Sequence, residues 1–280
     1  MGRKGLQMKW VSLVLFWLIA TSTTMAAQLF PPGAGYDSQL GGAYSPPAQV
    51  SIVSRDRLEA PAEGLYNICY VNAFQTQPDE TRWWIETHPE LLLRRDNDWM
   101  EDPNWPDEII LDISTGGKRK ALLSIIGPWI DKCADDGFAA IEADNLDTYS
   151  RSDGALNMAD SLAFAKMLVD RAHRQGLAFG QKNGAELGDK GKASGFDFAI
   201  VESCEVYQEC QDYRDVYGRY VLEIEYTDTN RNYFDRACEA RGSSISVVLR
   251  DRGLQPAGRS EHEFEACPEA VVLHESGMDY

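Results

Sequence analysis

The sequence is poor in positive charge. Its 280 residues contain 27 lysines and arginines against 44 aspartates and glutamates, a formal net charge of −17 at pH 7. Nucleic acids and anionic membranes bind basic surfaces, because lysine and arginine neutralise their phosphates. The shortage of basic residues therefore argues against a nucleic acid partner and against membrane attachment through a basic patch.

Long hydrophobic runs are absent apart from one short apolar segment near the N-terminus. Arg3, Lys4 and Lys9 precede the apolar run 10–20, and a small, polar segment follows it as far as Ala27. This order is typical of a secretory signal peptide, and the apolar run is too short to span a bilayer. We predict a signal peptide over residues 1–27. Its removal would change the net charge from −17 to −20 and leave a secreted, monomeric protein without membrane contact.

The sequence contains no Cys-x-x-Cys pair, and its four histidines are scattered without metal-ligand spacing. An even number of cysteines in an exported chain favours disulfides over a metal site, although six cysteines allow several pairings. The short gap makes Cys204 and Cys210 the first expected pair. Cys238 with Cys267 and Cys69 with Cys133 would complete the set.

Several sequence motifs that mark common enzyme classes are also missing. No G-x-S-x-G elbow, Walker loop, dinucleotide fingerprint or H-E-x-x-H motif occurs, so serine hydrolase, nucleotide and zinc peptidase chemistries lose support. We expect no metal and no organic cofactor. The composition, with 44% apolar and 25% charged residues, is that of an ordinary globular domain.

The pattern of elements along the chain predicts alternating strands and helices. Residues 28–64 are rich in proline and glycine, which indicates an extended lead-in before a single domain over 65–280. Helical periodicity covers 119–136 and 158–175, and each helix ends next to a glycine, Gly137 or Gly176. Eight short apolar runs predict strands over 66–74, 90–93, 109–113, 138–142, 177–181, 196–201, 220–226 and 245–249.

Strands that are apolar throughout and alternate with helices are typical of a parallel sheet covered on both faces. Eight such units fit a (β/α)₈ barrel of the TIM type, and a doubly wound open sheet is the alternative. The run 90–93 is the weakest strand, because its leucines could instead close a helix.

Polar side chains stand at the C-terminal ends of the predicted strands, where barrel enzymes build their active sites. The candidates are Asp112, Glu142, Asp144, Asn145, Asp147, Lys182, Asn183, Glu202, Glu225 and Tyr226. Asp112, Asp147 and Asp228 could instead cap helices or support other side chains. Asp144 and Glu202 differ from these because each directly follows an apolar strand. Two carboxylates facing one cleft are the equipment of a glycosidase.

At these same positions the sequence resembles glycoside hydrolase family 114, the endo-α-1,4-polygalactosaminidases. The matching segments are Cys69–Ala73, Glu142–Asp147, Ala172–His173 with Gly176–Leu177, Lys182–Asn183, Phe196–Ala199, Glu202–Cys204 with Tyr207 and Cys210, and Glu225–Tyr226. The resemblance implies a (β/α)₈ barrel, secretion and hydrolysis within chains of α-1,4-linked galactosamine or N-acetylgalactosamine.

The resemblance also implies roles for individual residues. Asp144 would be the nucleophile and Glu202 the general acid and base, an arrangement similar to that of barrel α-galactosidases. Lys182, Asn183 and Asn145 would position the sugar or keep Asp144 ionised.

Three other positions bear on these roles. Glu225 is the rival for the second acid, since many barrel glycosidases carry one on strand seven. The sequence departs from many relatives at Asn72, where they carry an acid, and at Ser203, where a second glutamate is frequent.

Aromatic residues near strand ends could form platforms for sugar rings. The candidates are Tyr70, Phe74, Trp99, Trp105, Tyr149, Tyr207 and Tyr226. We favour the site for Tyr70 and Tyr226, whereas Trp83, Trp84 and Trp129 lie in helical stretches and are expected in the core.

Three functions are compatible with these observations. The first is an endo-acting hydrolase of a cationic, galactosamine-rich polysaccharide. The second is a barrel that binds carbohydrate without cleaving it, and the third is an α-galactosidase-like enzyme with a neutral substrate. Stereochemistry depends on the distance between Asp144 and Glu202, since a short separation indicates retention and a wider one inversion.

Overall fold

The computed structural model describes residues 1–2 and 27–267. The predicted signal peptide therefore lies almost entirely outside the described residues. No helix in the described ranges is long and apolar enough to cross a membrane.

Eight parallel strands form the centre of the molecule, and each pairs with the next one along the chain. They are β1 Gly35–Ser38, β2 Val50–Asp56, β3 Tyr66–Asn72, β4 Ala140–Asp144, β5 Ala178–Lys182, β6 Phe198–Glu202, β7 Val221–Tyr226 and β8 Ser246–Arg250. A ninth strand, β9 Phe264–Ala266, runs antiparallel to β8.

Side chains join β8 to β1 and close the sheet into a barrel. The Ser246 hydroxyl donates to the carbonyl of Ala34. The buried Arg250 guanidinium donates to the Asp37 carboxylate and to the carbonyl of Ser38. A doubly wound sheet would reverse its strand order at a switch point, and no such reversal occurs between β1 and β8. The predicted (β/α)₈ fold is confirmed.

Helices cover the outside of the barrel. They are α1 Thr81–Thr87, α2 Gly116–Asp136, α3 Met158–Arg174, α4 Asp189–Ala193, α5 Cys204–Tyr207, α6 Cys210–Tyr217 and α7 Asn232–Arg241, with 3₁₀ turns at Pro89–Leu91, Thr148–Arg151 and Ala185–Leu187. Thr115 caps α2, and a capping box of Asn157 and Asp160 begins α3. Both helices are followed by a left-handed glycine, so the two predicted helices are confirmed to within a turn.

Two of the eight predicted strands are wrong. Residues 90–93 contain the turn Pro89–Leu91 and a single bridge from Leu92 to Leu111. Of residues 109–113, Ile109 ends a hairpin strand, Trp105–Ile109, and 110–113 follow it in an excursion between β3 and α2. The excursion also contains the short strands Arg94–Arg95, Asp98–Trp99 and Glu101–Asp102.

The two missing barrel strands come from the segment predicted as a lead-in, so a domain start at residue 65 is too late. Proline and glycine surround β1 and β2 in the sequence, and polar residues interrupt their hydrophobic character. Those polar residues are buried in specific pairs. Asp37 binds Arg250, and Arg55 donates to the side-chain oxygen of Gln39. Partners this distant leave no local hydrophobic pattern.

Alternate side chains of the strands fill the barrel interior, as the pleat requires. Ile68, Ala140, Phe198 and Leu222 belong to this inner core, which Phe30 extends with edge-on contacts to Tyr66, Phe198 and Tyr220. Gly180 leaves room for Phe198, because a Cβ there would lie 2.8 Å from its ring. The opposite faces of the strands pack on the helices in a second, larger core.

Three disulfides fasten the outer layer. Cys69–Cys133 ties β3 to α2, Cys204–Cys210 joins α5 to α6, and Cys238–Cys267 ties α7 to the chain after β9. These are the three pairs that we expected from the sequence.

Candidate active site

The carboxyl ends of five neighbouring strands deliver polar side chains to one mouth of the barrel. Tyr70 comes from β3, Asp144 from β4, Lys182 from β5, Glu202 from β6 and Tyr226 from β7. All five line a cleft with a volume of about 340 Å³. All five were site candidates from the sequence, and the structure brings them together in one cleft.

Lys182 is the centre of the group. Its buried ammonium lies 3.5 Å from Oδ1 of Asp144 and 3.5 Å from Oε2 of Glu202. A third carboxylate, Glu142, lies below it at 2.9 Å. Burial alone would lower the pKa of Lys182, but the three carboxylates together raise it well above its usual value. One permanent positive charge therefore joins the two candidate catalytic acids.

Asp144 is held by donors on both of its oxygens. The Tyr70 hydroxyl donates to Oδ2 at 2.9 Å, and the backbone N–H of Asn145 donates to Oδ1 at 2.8 Å. Together with Lys182, these donors stabilise the negative charge on the carboxylate and fix its orientation. An ionised, oriented carboxylate is what a nucleophile requires.

Glu202 is held equally firmly. The Asn183 amide donates to Oε2 at 2.8 Å and accepts the backbone N–H of Glu202 at 2.9 Å, while the Tyr226 hydroxyl donates to Oε1. Burial alone would raise the pKa of Glu202. Lys182, Tyr226 and Asn183 outweigh that effect and hold it below its usual value.

The backbone turns sharply after each of the three central side chains. Asn145, Asn183 and Ser203 directly follow Asp144, Lys182 and Glu202, and have φ values of 63°, 50° and 55°. Left-handed backbone is tolerated by asparagine and is less favourable for serine. These turns end the strands abruptly, which leaves the preceding side chain at the mouth.

Glu108 is a carboxylate of the cleft that the sequence reasoning missed. It comes from the excursion after β3 and accepts a hydrogen bond of 3.0 Å from the Asn72 amide. Burial raises its pKa to about 7, and the negative charges of Asp144 and Asp102 add to this effect. Its stretch of sequence has no periodic pattern, so no local signal could have identified it.

Asn72 and Asn145 are joined by a hydrogen bond next to the cleft. The Asn145 amide donates to Asn72 Oδ1 at 2.9 Å, and Arg151 donates to Asn145 Oδ1 at 3.1 Å. Arg151 also pairs with Asp147 at 2.8 Å. Asn145 and Asp147 line the cleft, whereas the buried Asn72 acts through its neighbours.

Three other predicted residues lie outside the cleft. Glu142 is buried beneath Lys182, in the layer of the barrel below the mouth. Asp112 pairs with Lys118 and accepts from Ser114 at the start of α2. These placements make Glu142 a support for Lys182 and Asp112 a support for the helix terminus.

Glu225 is the third residue outside the cleft, and its position removes it as a rival catalytic acid. It alternates with Tyr226 along β7, so its side chain faces the helical layer, where it accepts the backbone N–H of Glu205 at 3.0 Å. Burial raises its pKa to about 7 without bringing it near the cleft.

Three of the seven aromatic candidates line the cleft, namely Tyr70, Trp105 and Tyr226. Trp105 is half exposed and stands at the rim, and Arg252 stacks 3.7 Å above the Tyr226 ring. Trp84 is buried as expected, but Trp83 is 42% exposed, which corrects its assignment to the core.

Within the described residues, one group has the composition of a metal site. It consists of Cys204, Cys210 and Glu223. The two cysteines form a disulfide, so they offer no thiolate ligand. We assign no metal to this group.

Comparison with known proteins gives a match over most of the chain. The model of glycoside hydrolase family GH114 matches residues 19–271. No curated protein matches the chain significantly. Similar solved structures include two that are below 25% sequence identity, and this likeness shows a shared fold.

The first is Aspergillus fumigatus Ega3 in complex with galactosamine, at 23% identity and a TM-score of 0.69. The match covers 88% of this chain and 100% of that one. The second is the glycoside hydrolase domain of PelA from Pseudomonas aeruginosa, at 15% identity and a TM-score of 0.56. It covers 83% of this chain and 100% of that one.

Proposed function

Because the chain belongs to glycoside hydrolase family GH114, we propose that it is a secreted enzyme that cleaves internal α-1,4 linkages of a galactosamine-rich exopolysaccharide. Asp144 acts as the nucleophile, and Glu202 acts as the general acid and base. The observation that carries this proposal is the shared contact of both acids with Lys182, 3.5 Å from each.

The shared contact limits the distance between the two acids. Oδ1 of Asp144 and Oε2 of Glu202 can be no further apart than twice 3.5 Å. Retaining glycosidases separate their carboxyl groups by about 5 Å, and inverting ones by about 6.5–9.5 Å. The limit of 7 Å includes the retaining distance and excludes most of the inverting range, so it supports retention, the outcome in which Asp144 forms a covalent bond to the sugar.

The reaction then proceeds in two displacements. Asp144 attacks C1 while Glu202 donates its proton to the glycosidic oxygen, and the C1–O bond breaks. Glu202 next removes a proton from water, which attacks C1 and releases Asp144 from its ester. Because Lys182 and Tyr226 lower the pKa of Glu202, the acid form needed in the first step is favoured at acid pH.

Charge supports a cationic substrate. The cleft is lined by Asp56, Glu108, Asp144, Asp147 and Glu202, and the chain as a whole has a net charge of −17. A polymer of free galactosamine carries an ammonium group on each sugar and is attracted to such a surface. The structure of the relative Ega3 as a complex with galactosamine supports the same sugar class.

Rescue by azide separates the roles of the two acids. With an aryl α-galactosaminide oligomer as substrate, Glu202→Ala should give the α-glycosyl azide, since azide attacks the covalent intermediate on Asp144. Asp144→Ala should give the β-glycosyl azide by a single displacement. If both variants gave the same anomer, or if Asp144→Asn retained full activity, the assignment would be wrong.

Substrate and salt tests separate the functional alternatives. Release of short oligosaccharides from de-N-acetylated polymer, slowed as salt screens the attraction, supports the proposal. Cleavage of a neutral α-galactoside without salt dependence would favour an α-galactosidase-like enzyme. Binding of the polymer with no product at any pH would favour a non-catalytic barrel.

The acidic surface and three disulfides support secretion as a monomer. N-terminal sequencing of the exported protein should find a start near residue 27. Light scattering should give the mass of one chain.

A further inference from the structure

Glu108 has no cationic partner, unlike Asp144, Asp147 and Glu202. Among the described residues it forms no ion pair, and the Asn72 amide is its one hydrogen-bond donor. Asp144 and Glu202 share Lys182, and Asp147 pairs with Arg151. Asp56 at the rim of the cleft also has no cationic partner in the described part of the chain, but the Leu58 N–H and the Gln77 amide donate to its two oxygens. A negative charge that lines a cleft without a counterion is suited to a positively charged ligand.

The register of the barrel fixes the side of Asp144 on which Glu108 lies. Asn72, which holds Glu108, ends β3 and is the register partner of Asp144 at the end of β4. Lys182 and Glu202 end β5 and β6 on the opposite side. The mouth therefore presents Glu108, Asp144 and Glu202 in this order.

In the proposed function two of these acids act at C1 of the sugar, whose ring neighbours are O5 and C2. Asp144 bonds to C1, and Glu202 faces the departing oxygen on C1. The substituent on C2 is next to the reacting carbon, and in galactosamine this substituent is an ammonium group.

We propose that Glu108 binds the C2 ammonium of the sugar attacked by Asp144 and thereby selects a de-N-acetylated residue at the point of cleavage. This inference rests on the proposed function and deepens it. An acetamido group in the same place is neutral and would bury the carboxylate without a counterion, which is unfavourable.

The ionisation of Glu108 provides a second readout. Burial, Asp144 and Asp102 raise its pKa to about 7, with partial opposition from Asn72 and Arg151. An ammonium beside the carboxylate lowers that pKa again, so binding near pH 7 should release a proton. Affinity for the amine should fall as the pH falls below about 7, because the protonated acid cannot form the ion pair.

Product analysis tests the selection directly. In a partly acetylated polymer, the sugar attacked by Asp144 becomes the new reducing end of the product, and mass spectrometry after borodeuteride reduction identifies it. Wild-type protein and the control Glu101→Gln, an exposed acid outside the cleft, should give galactosamine ends almost exclusively. Glu108→Gln should also give N-acetylgalactosamine ends, and Glu108→Asp should restore the selection.

Two results would overturn the inference. One is wild-type reducing ends that follow the composition of the polymer. The other is unchanged selection in Glu108→Gln shown to be folded by circular dichroism. Absence of any cleavage by the wild-type protein would contradict the proposed function instead. In that case a binding measurement with the two sugars would test whether Glu108 selects galactosamine.

The binding measurement uses galactosamine and N-acetylgalactosamine in buffers of different ionisation enthalpy. Tighter binding of galactosamine with proton release at pH 7, both reduced several-fold in Glu108→Gln, supports the inference. Equal binding of the two sugars, or proton release that persists in Glu108→Gln, contradicts it.

Discussion

The ammonium of Lys182 lies 2.9 Å from Oε1 of Glu142, and both side chains are buried inside the barrel. Burial raises the pKa of Glu142, although Lys182 opposes this effect. Glu142 is thus the lower anchor of a lysine whose upper contacts are the two cleft acids. The pair determines where the positive charge of the site stands.

Removal of one partner of this pair should be more harmful than removal of both. We expect Lys182→Met to lower the free energy of unfolding by about 3–5 kcal/mol, because it leaves Glu142 buried without a cation. Glu142→Met combined with Lys182→Met should be more stable than Lys182→Met alone. Urea unfolding of the two single variants and the double variant measures this coupling, and additive losses would contradict it.

The hydrogen bond from Tyr226 should control the high-pH limb of activity. It stabilises the charged form of Glu202 and so lowers its pKa. In Tyr226→Phe this pKa rises, the protonated acid persists to higher pH, and the limb should move upward by about one pH unit. Tyr70→Phe is the matched control, since Tyr70 donates to Asp144, and the same upward movement there would contradict the assignment.

Glu225 should affect stability without affecting catalysis. Burial raises its pKa in the folded state to about 7, above the ordinary value of the unfolded chain. The folded state then binds the extra proton between about pH 4.5 and 7, so stability falls as the pH rises through this window. In Glu225→Gln the decrease in the free energy of unfolding across this pH range should be smaller by about 1–3 kcal/mol.

Unfolding curves across that pH range measure the effect of Glu225→Gln. A residual dependence is expected from Glu108, whose pKa is also raised to about 7. The kcat/KM of Glu225→Gln should stay close to that of the wild type. A large loss of kcat in the folded variant would return Glu225 to the list of catalytic candidates.

Trp105 should contribute binding energy for longer substrates. It stands half exposed at the rim of the cleft, where an aromatic face can pack on a sugar ring. Trp105→Ala should raise KM for long oligosaccharides about tenfold with little change in kcat, the signature of lost uniform binding. Trp83→Ala, an exposed tryptophan away from the cleft, should leave KM unchanged. Equal effects of the two variants would argue against a platform.

The sequence predicted the central part of the site because chemistry and position coincide there. Asp144, Lys182 and Glu202 each follow an apolar run, and the C-terminal ends of parallel strands meet at one mouth. The prediction included two strands that do not exist and missed two that do. The total stayed at eight, so β4 to β8 have the strand numbers that the sequence predicted. The prediction of these three residues used only their place at the strand ends and not the side of the sheet that each side chain faces.

The structure of the excursion after β3 could not be predicted from the sequence. Its very short strands pair with each other, its residues have no regular period, and the contacts that place it beside the cleft are with distant parts of the chain. Glu108 reaches the cleft because the Trp105–Ile109 strand pairs with Glu101–Asp102 and is held against Asn72. Hydrogen bonds between segments this far apart leave no trace in local composition.

The sequence by itself determined the succession of strands and helices, the chain positions of the two candidate acids and the set of cysteines able to pair. Tertiary structure alone decided which of the other carboxylates enter the cleft. Strands of a parallel barrel are buried on both faces, so their sequences lack the alternation that would distinguish inside from outside. A difference of one residue therefore sends Tyr226 into the cleft and Glu225 into the helical layer, and only the packed barrel sets that choice.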